Sequence, residues 1–368
     1  MADNTGVILV SLNPNDAKDA ALAATADTVS QYFTSNPRLE YIGIAGIGRH
    51  GGALLFSERD SDDDEIRKIV VKYSLDVEAD ADLRNEHGFL QLLQGAEHIV
   101  QLIPLTETEL DVTGTGRRPT LAMEYIPYGT VEQFRNRLQS LEEPPRIPSR
   151  LLWRFFLCAV RQVVAMQYPP MGGPNAKVER ERIRAGHELG ITQNSPHARN
   201  FLFGDITEGS PEHGLAPILK LIDFGRGESG SVDNAYIDNI AGAAFMIAYI
   251  SLSRLRDERA ARDAGQRHWE YVVDPGGNPL TLVSTAQGAF LNMRDIDGPL
   301  RDIIAMCLAH RTRHIPELGN LLATCEDAVG RRRPEDLLFA QSVDLAEETD
   351  EAIQEFVQRH FLDAYLPE

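Results

Sequence analysis

The order of strand-like and helix-like segments constrains the fold of this chain more than any other feature of its sequence. Between positions 41 and 129, runs of apolar and β-branched residues predict strands, interrupted by one amphipathic helix at residues 80–93. The strands are predicted at residues 41–45, 53–56, 69–73, 99–105 and 120–126. Beyond position 129 most apolar segments predict helices. We therefore expect an α+β fold, with a strand-rich unit over residues 41–129 and a mainly helical unit over residues 130–368.

The first 40 residues are predicted to extend this fold at its N-terminus. A short strand is expected at residues 7–12 and a helix at residues 16–33. In the second unit the long apolar segments 151–166 and 237–255 predict buried helices. Further helices are expected after Pro299 and after Pro334, and short strands at residues 201–203 and 218–222.

The charge balance bears on the partners that the chain can bind. It has 36 Lys and Arg against 55 Asp and Glu, so its formal net charge is −19. Charged residues make up 25% and hydrophobic residues 43% of the chain, which excludes a wholly disordered protein. Because a phosphate-backbone binder needs a basic face, the acid excess argues against a nucleic-acid partner.

The cysteines and the apolar segments indicate in which cellular compartment the protein is expected. Cys158, Cys307 and Cys325 show no Cys-x-x-Cys spacing, so we expect buried thiols rather than a disulfide scaffold or a structural zinc site. The first residues lack the basic and apolar regions of a signal peptide. The apolar stretch at residues 240–252 is too short to span a bilayer. These features predict an intracellular, cytoplasmic protein without a membrane partner, with the nucleus left open.

A glycine-rich stretch joins two of the predicted strands. Gly46, Gly48 and Gly51 fit the pattern G-x-G-x-x-G, which is a weak signal by itself. A dinucleotide-binding fold requires a helix to begin at the third glycine, whereas Gly51 is followed by a strand-like run. The strand–loop–strand layout is that of a loop covering nucleotide phosphates. An ordinary glycine-rich hairpin turn is the alternative.

Four polar residues follow this loop, and their order along the chain narrows the choice of protein family. Lys72 ends the strand Ile-Val-Val-Lys, and Glu86 lies in the middle of the next helix. Asn200 precedes one short strand, and Asp223 follows another as the first residue of Asp-Phe-Gly. Taken singly, such a lysine or glutamate is more often a solvated surface charge. The complete order, from the glycine loop to Asp-Phe-Gly, resembles that of the eukaryotic protein-kinase family over residues 41–325.

The resemblance implies a two-lobed protein-kinase-like fold that binds ATP and Mg²⁺ between a strand-rich N-lobe (41–129) and a helical C-lobe (130–368). It implies that Gly46, Gly48 and Gly51 cover the phosphates, and that Lys72 contacts the phosphates and pairs with Glu86. Asn200 and Asp223 are the implied Mg²⁺ ligands. The resemblance also implies the adenine contacts: Ala53 and Val70 cover the ring with an apolar surface, and Met123 lies behind it. The backbone from Glu124 to Ile126 is implied to form hydrogen bonds with the edge of the purine, and Thr130 to contact the ribose.

Two structural positions of the family also have candidates here. The resemblance makes Asp238, near the start of a helix, the residue that anchors the catalytic-loop backbone. The last family motif has two candidates, the segment 307–313 and the pair Arg333 and Pro334.

The catalytic loop departs from the family pattern H-R-D-x-x-x-x-N. Counting back from Asn200, the first three positions hold Gln193, Asn194 and Ser195. The aspartate that accepts the substrate proton is therefore missing, and a serine hydroxyl does not act as a base without a second base beside it. His197 is a candidate substitute base, since related small-molecule phosphotransferases often carry histidine there. A phosphate or backbone hydrogen bond is the alternative role for His197, and the one we favour.

The segment after Asp-Phe-Gly also departs from the family pattern, because it lacks the features of an activation loop. Residues 223–238 are too few for an ordinary activation loop and contain no Ala-Pro-Glu. Asn194 replaces the arginine that would pair with a phosphate on such a loop. Two insertions are also unusual: residues 169–188, which we interpret as ending in a solvated mixed-charge helix, and residues 204–217 between two strands.

Three hypotheses about function follow. The first, which we favour, is a pseudokinase that binds ATP and Mg²⁺ and acts through conformation or as a scaffold for a protein partner. The second is a divergent active Ser/Thr kinase with a protein substrate, because positioning and electrostatics supply most of the catalysis in phosphoryl transfer. The third is a small-molecule phosphotransferase, indicated by His197 and the short segment after Asp223.

Overall fold

A computed structural model of the protein describes residues 9–10, 12, 17–48, 51–104, 109–111, 116–173, 176–255, 268–274 and 278–364. Within them the predicted α+β class is confirmed, with an antiparallel sheet in the N-terminal part and mainly helices in the C-terminal part. The predicted helix at residues 16–33 is α1 (Ala17–Thr34). The strand predicted at residues 7–12 lies largely outside the described residues.

The N-terminal sheet has five strands in the order β1-β2-β3-β5-β4. The strands are β1 (Leu39–Ile47), β2 (Gly51–Arg59), β3 (Glu65–Ser74), β4 (Glu109–Leu110) and β5 (Arg118–Glu124). Every neighbouring pair is antiparallel. Helix α2 (Val77–Leu92) lies between β3 and β4 in the chain, and the Asp76 carboxylate caps it by accepting a hydrogen bond from the Ala79 amide at 2.8 Å.

The two faces of this sheet have different partners because side chains alternate along a strand. On one face Phe56, Val71 and other apolar residues pack with Val29 and Phe33 of α1, and the rings of Phe33 and Phe56 lie 5.5 Å apart. The opposite face carries Ala53, Val70 and Lys72 toward the C-terminal part of the chain. Pairing of Ala53 with Lys72 and of Val70 with Met123 fixes this register.

The C-terminal part is built around helix α4 (Ser149–Gln167), in which every side chain from Leu151 to Met166 is buried. The other helices are α3 (Val131–Ser140), α5 (Val232–Ser251), α6 (Gly288–Leu291), α7 (Gly298–Cys307), α8 (Leu318–Gly330) and α9 (Asp350–Val357). Short 3₁₀ turns lie at Ala198–Asn200, Leu252–Arg254, Thr312–His314, Pro334–Asp336 and Leu345–Glu348, and a π turn at Gln358–Leu362. Helix α4 packs against α5 and α8.

Three two-stranded antiparallel pairs complete the C-terminal part. They are β6 (Ile191–Thr192) with β9 (Glu228–Ser229), β7 (Phe201–Phe203) with β8 (Leu219–Leu221), and β10 (Trp269–Val273) with β11 (Leu280–Ser284). The pair β7–β8 was expected from the sequence, whereas the pair β10–β11 was not. The strand predicted at residues 99–105 is wrong over its described residues, because Ile99 and Leu102 form only isolated bridges.

The C-terminal segment is held against α4 by a buried carboxylate. Glu348, which is fully buried, accepts hydrogen bonds from the amides of Ser149 and Arg150 at 2.8 and 3.0 Å. These amides belong to the first turn of α4, where no intrahelical acceptor exists. Arg146 balances the buried charge at 2.6 Å.

The arginine run near the C-terminus has a structural function. Arg332 lies 2.6 Å from the buried carboxylate of Asp297, which also accepts a hydrogen bond from Trp153 at 2.9 Å. Arg332 is therefore part of a buried network rather than a free surface charge.

One helical stretch among the described residues, Val232–Arg254, is long and apolar enough to cross a membrane, with a mean hydropathy of 1.4 over its most apolar window. Of that window, 61% is buried inside the protein. The core helix of a soluble protein passes the same test of length and composition, and here the helix packs against α4 and α7.

Candidate functional site

A cleft of about 630 Å³ lies between the inner face of the sheet, helix α2 and the segments that contain Ser195 and Asp223. Most of the residues that the sequence predicts for a nucleotide site line it. They are Gly46, Gly48, Gly51, Ala53, Val70, Lys72, Glu86, Met123, Glu124, Ile126, Thr130, Ser195 and Asp223. The fold thus collects residues from four strands, from α2 and from the turns and loops between elements around one cavity.

Lys72 and Glu86 form an ion pair on the wall of the cleft. The Lys72 Nζ donates to Glu86 Oε1 at 2.7 Å, and Glu86 is only 3% exposed. Burial alone lowers the pKa of Lys72, but the carboxylates of Glu86 and Asp223 raise it more, and the net direction is upward. Lys72 therefore remains protonated at neutral pH and presents a positive charge to the cleft.

Burial shifts the pKa of Glu86 in the opposite direction, and it disfavours the charged form of Glu86 as it does that of Lys72. Desolvation raises the pKa of the Glu86 carboxyl, and the negative charge of Asp223 raises it further, while Lys72 lowers it. The carboxylate form of Glu86 thus depends on Lys72, and the two groups stabilise each other.

Asp223 follows β8 in the left-handed backbone region, with φ of 64°. This uncommon conformation for a non-glycine residue is held by its neighbours: Gln193 Nε2 donates to the Asp223 carbonyl at 2.7 Å, and Phe224 is fully buried. The carboxylate lines the cleft and is close enough to influence the pKa of Lys72.

Asn200 is buried and, unlike Asp223, is not among the residues that line the cleft. Its Nδ2 donates to the Ser195 carbonyl at 2.8 Å, and its own carbonyl accepts from the Ile222 amide at 2.9 Å. The second contact lies just beyond the end of the β7–β8 pair and brings Asn200 opposite Ile222, the residue before Asp223. With Nδ2 engaged, the side-chain oxygen Oδ1 is the atom that Asn200 can offer to a cation. Carboxylate and amide oxygens suit Mg²⁺ by their chemistry.

The three glycines of the motif differ in their surroundings. A Cβ on Gly51 would lie 2.3 Å from the Tyr73 carbonyl oxygen, so close packing of β2 on β3 requires glycine there. A Cβ on Gly46 would meet only the Cβ of Ala53, at 3.9 Å. Gly48 closes the turn through its amide, which donates to the Gly51 carbonyl at 2.9 Å. The residues between Gly48 and Gly51 lie outside the described part.

The segment from Met123 to Thr130 continues from β5 along the cleft. The amides of Glu124 and Tyr125 already donate to Gln101 and Lys68. Within the described residues the amide of Ile126 has no such backbone partner, so it can donate to a ligand. Thr130 caps α3: its hydroxyl accepts from the Gln133 amide at 3.1 Å, and Gln133 Oε1 accepts from the Thr130 amide at 2.8 Å.

The loop before Asn200 brings Ser195, but not His197, to the cleft. Ser195 lines the cleft, while His197 is exposed and lines a separate cavity of about 520 Å³ on the other side of the loop. Asn194 has a positive φ of 59° and donates to the Arg226 carbonyl at 3.2 Å.

The residue that anchors this loop is Asn239 rather than the predicted Asp238. Asn239 Oδ1 accepts from the Gln193 amide at 3.3 Å, and Nδ2 donates to the Ile191 carbonyl at 2.7 Å. Asp238 is exposed one position earlier on α5. The two side chains point about 100° apart around the helix, so only one of them faces the loop.

Sequence reasoning missed four residues of the site. Asn85 of α2 donates to the carbonyls of Gly225 and Gly227 at 3.0 and 2.9 Å and so ties the segment after Asp223 to the helix. Asp82, Arg199 and Arg226 line the cleft. Asp82 lies one turn before Glu86 on the same face of α2, and this helical spacing is the signal that could have found it; Asn85, next to Glu86 in the chain, carries no such signal.

No protein-family model matches this chain, and no curated protein matches it either. The functional assignment therefore depends on the residues and the geometry of the cleft.

Proposed function

We propose that the sheet and the helical part are the two lobes of a protein-kinase-like fold, and that the cleft between them binds ATP with Mg²⁺. The observation that carries this proposal is the Lys72–Glu86 ion pair at 2.7 Å, which lies in the same cleft as Asp223. A protonated lysine beside a carboxylate suits a polyphosphate with its cation. The cleft volume of about 630 Å³ also falls in the range of small-molecule sites.

The residues of the cleft divide into a polar and an apolar part, as a nucleotide requires. Lys72 and the backbone of the glycine turn would contact phosphates, and Asp223 with Asn200 Oδ1 would hold the Mg²⁺. Ala53, Val70 and Met123 offer an apolar surface for the purine, and the Ile126 amide offers a donor at its edge. When bound, Mg²⁺ would offset the negative charge of the phosphates.

Within this proposal the protein is a pseudokinase rather than an active kinase. Ser195 stands where a base is required, and His197 faces a different cavity, which disfavours it as a substitute base. Loss of a general base typically reduces the rate about 10²–10⁴-fold. The intact hydrogen bonds of Gln193 and Asn200 are consistent with a loop that keeps its shape without catalysing transfer. Nucleotide binding would then regulate or stabilise a scaffold for a protein partner.

A thermal-shift experiment on the full chain tests the proposal. Mg-ATP at 100 times its Kd should raise the free energy of unfolding by about 2.7 kcal/mol. Lys72→Met should abolish this increase, because it removes the cation that faces the phosphates. Lys68→Met, on the same strand but paired with Glu65 outside the cleft, is the matched control and should retain it.

Each variant is compared with its own ligand-free melting temperature, because Lys72→Met also leaves Glu86 buried without its partner. No stabilisation of the wild type by millimolar Mg-ATP, or equal stabilisation of both lysine variants, would refute nucleotide binding in this cleft. Phosphoryl transfer at the rates of ordinary kinases, about 1–100 per second, would refute the pseudokinase assignment.

A further inference from the structure

A second cluster of reactive side chains lies in the core, outside the cleft. His98, Cys158 and His213 are each at most 2% exposed, and one ligand atom of each lies within 4.8 Å of the other two. Cys158 belongs to α4, His98 follows α2, and His213 lies in the insertion between β7 and β8. The imidazole rings of His98 and His213 are 5.0 Å apart.

Three ring nitrogens in this cluster lack hydrogen-bond partners among the described residues. They are His98 Nε2 and both Nδ1 and Nε2 of His213. Buried polar atoms are rarely left unpaired, and each exception requires an explanation such as a bound ion. Since the ring nitrogens face one another and a thiol, an ion that accepts nitrogen and sulfur ligands would satisfy them together.

The orientation of His98 is fixed by a buried carboxylate. Glu181 accepts from His98 Nδ1 at 2.7 Å and from the His98 amide at 2.7 Å. This arrangement leaves Nε2 as the atom available to a ligand. A carboxylate on the second nitrogen of a histidine is the usual support for a metal-bound imidazole.

The charges around the cluster are balanced locally. Arg161 pairs with Glu212 and Glu326 at 2.7 Å each, and Arg180 pairs with Glu212 at 3.2 Å. The carboxylates and arginines beside the cluster are thus paired with one another.

We propose that His98 Nε2, Cys158 Sγ and a ring nitrogen of His213 bind a zinc ion, which joins α4 to the segment after α2 and to the insertion 204–217. The two nitrogens and one thiolate are ligands that zinc prefers, and tetrahedral zinc holds such atoms about 3.5 Å apart. The three side chains move inward by about 1 Å or less to reach this spacing. Binding releases the Cys158 thiol proton and the proton on His98 Nε2 to solvent, and a water molecule enclosed with the ion is the fourth ligand.

The site gives both insertions a function that is independent of nucleotide binding. Glu181 comes from the insertion 169–188, and His213 from the insertion 204–217. Neither contributes to the cleft. The proposal also departs from the expectation based on cysteine spacing, because its ligands are 55 to 60 residues apart and only the fold assembles them.

Metal analysis of the untagged full chain tests the site directly. Protein purified without chelator should contain about one zinc per chain. After the zinc is removed, Co²⁺ should restore binding and give the thiolate-to-cobalt charge-transfer band and the visible bands of a tetrahedral ion. Glu181→Gln should weaken Co²⁺ binding about 10–100-fold, because it removes the support of His98.

Two cysteine variants separate this site from adventitious binding. Cys158→Ser should lose the charge-transfer band, and Cys307→Ser, which removes another buried thiol outside the cluster, should retain it. His213→Gln, checked for folding by circular dichroism, gives the same test if Cys158→Ser does not fold, and should lose stoichiometric Co²⁺. The proposal would be refuted if the wild-type protein contained no zinc and also gave no thiolate-to-cobalt band with Co²⁺. So would Cys158→Ser or folded His213→Gln that binds Co²⁺ like the wild type.

Discussion

Single residues in the glycine turn serve different purposes, although one motif contains them. Gly51 is required by the packing of β2 on β3, because any Cβ would overlap the Tyr73 carbonyl oxygen. Gly46 has no such neighbour, and a side chain there would extend toward the cleft. The interpretation of the motif as a glycine-rich hairpin turn therefore explains Gly51. It does not explain Gly46, whose small size leaves room for a ligand in the cleft.

This difference predicts opposite effects of two alanine substitutions. Gly51→Ala should lower the free energy of unfolding by about 1–3 kcal/mol, because the backbone has to shift to admit the Cβ. Gly46→Ala should change it by less than about 0.5 kcal/mol but weaken Mg-ATP binding about tenfold. Chemical denaturation and a nucleotide titration measure the two effects. Equal destabilisation by both variants would contradict the distinction.

Residues of the candidate site were predictable when local pattern determined their position. Lys72 and Glu86 occupy a strand end and a helix face that periodicity identifies, and they meet as expected. Asn239 was missed in favour of Asp238, because sequence spacing alone does not fix the rotation of a helix. Glu181 was missed because a charged stretch predicts a solvated helix, whereas residues 177–184 form no helix and Glu181 is buried against His98.

At the scale of elements, helix α2 connects the sheet to the segment after Asp223. Glu86 points to Lys72, and one position earlier Asn85 donates to the carbonyls of Gly225 and Gly227. Phe89, one turn further on, packs close to Gly227, where a Cβ would lie 2.7 Å from the ring. The helix therefore orients Lys72 and Asp223 at the same time.

Asn85→Ala should uncouple this segment from α2. The two carbonyls lose their donor, which should cost about 1–3 kcal/mol of unfolding free energy and also weaken Mg-ATP binding. Asn292→Ala removes a similar bond to the Gly288 carbonyl at an exposed position and should cost less. Chemical denaturation compares the two variants. A smaller loss for Asn85→Ala than for Asn292→Ala would contradict this function of α2.

The C-terminal segment should make stability sensitive to acid. Burial, followed by the charges of Arg359 and Arg137, lowers the pKa of His360 to about 4. The unfolded chain takes up the proton near pH 6.5 and the folded chain near pH 4, so the stabilisation present above pH 6.5 is lost as the pH falls through 4. His360→Gln should therefore show a smaller decrease in unfolding free energy between pH 7 and pH 4. An equal decrease in unfolding free energy for the wild type and His360→Gln would show that His360 does not contribute to the acid sensitivity.

At the scale of the whole molecule, the sequence predicted the order of sheet and helices but not all of their connections. Strand alternation and long apolar runs determine burial locally, which is why β1 to β3, α2 and α4 lie close to their predicted positions. The hairpin β10–β11 was missed because its pairing depends on packing against α7 rather than on a strong apolar pattern. The buried pairs Glu348–Arg146 and Asp297–Arg332 join distant parts of the chain, and local patterns do not reveal them.

The central claim is that one cleft binds ATP together with Mg²⁺. Calorimetric titration of the full chain with ATP, in the presence of Mg²⁺ and in the presence of EDTA, tests it most directly. We predict binding at one site per chain that requires Mg²⁺ and that Asp223→Asn weakens at least about tenfold, or 1.4 kcal/mol. Asp62→Asn, in the exposed turn between β2 and β3, should bind like the wild type. Absence of binding at millimolar Mg-ATP, or binding indifferent to both Mg²⁺ and Asp223→Asn, would contradict the claim.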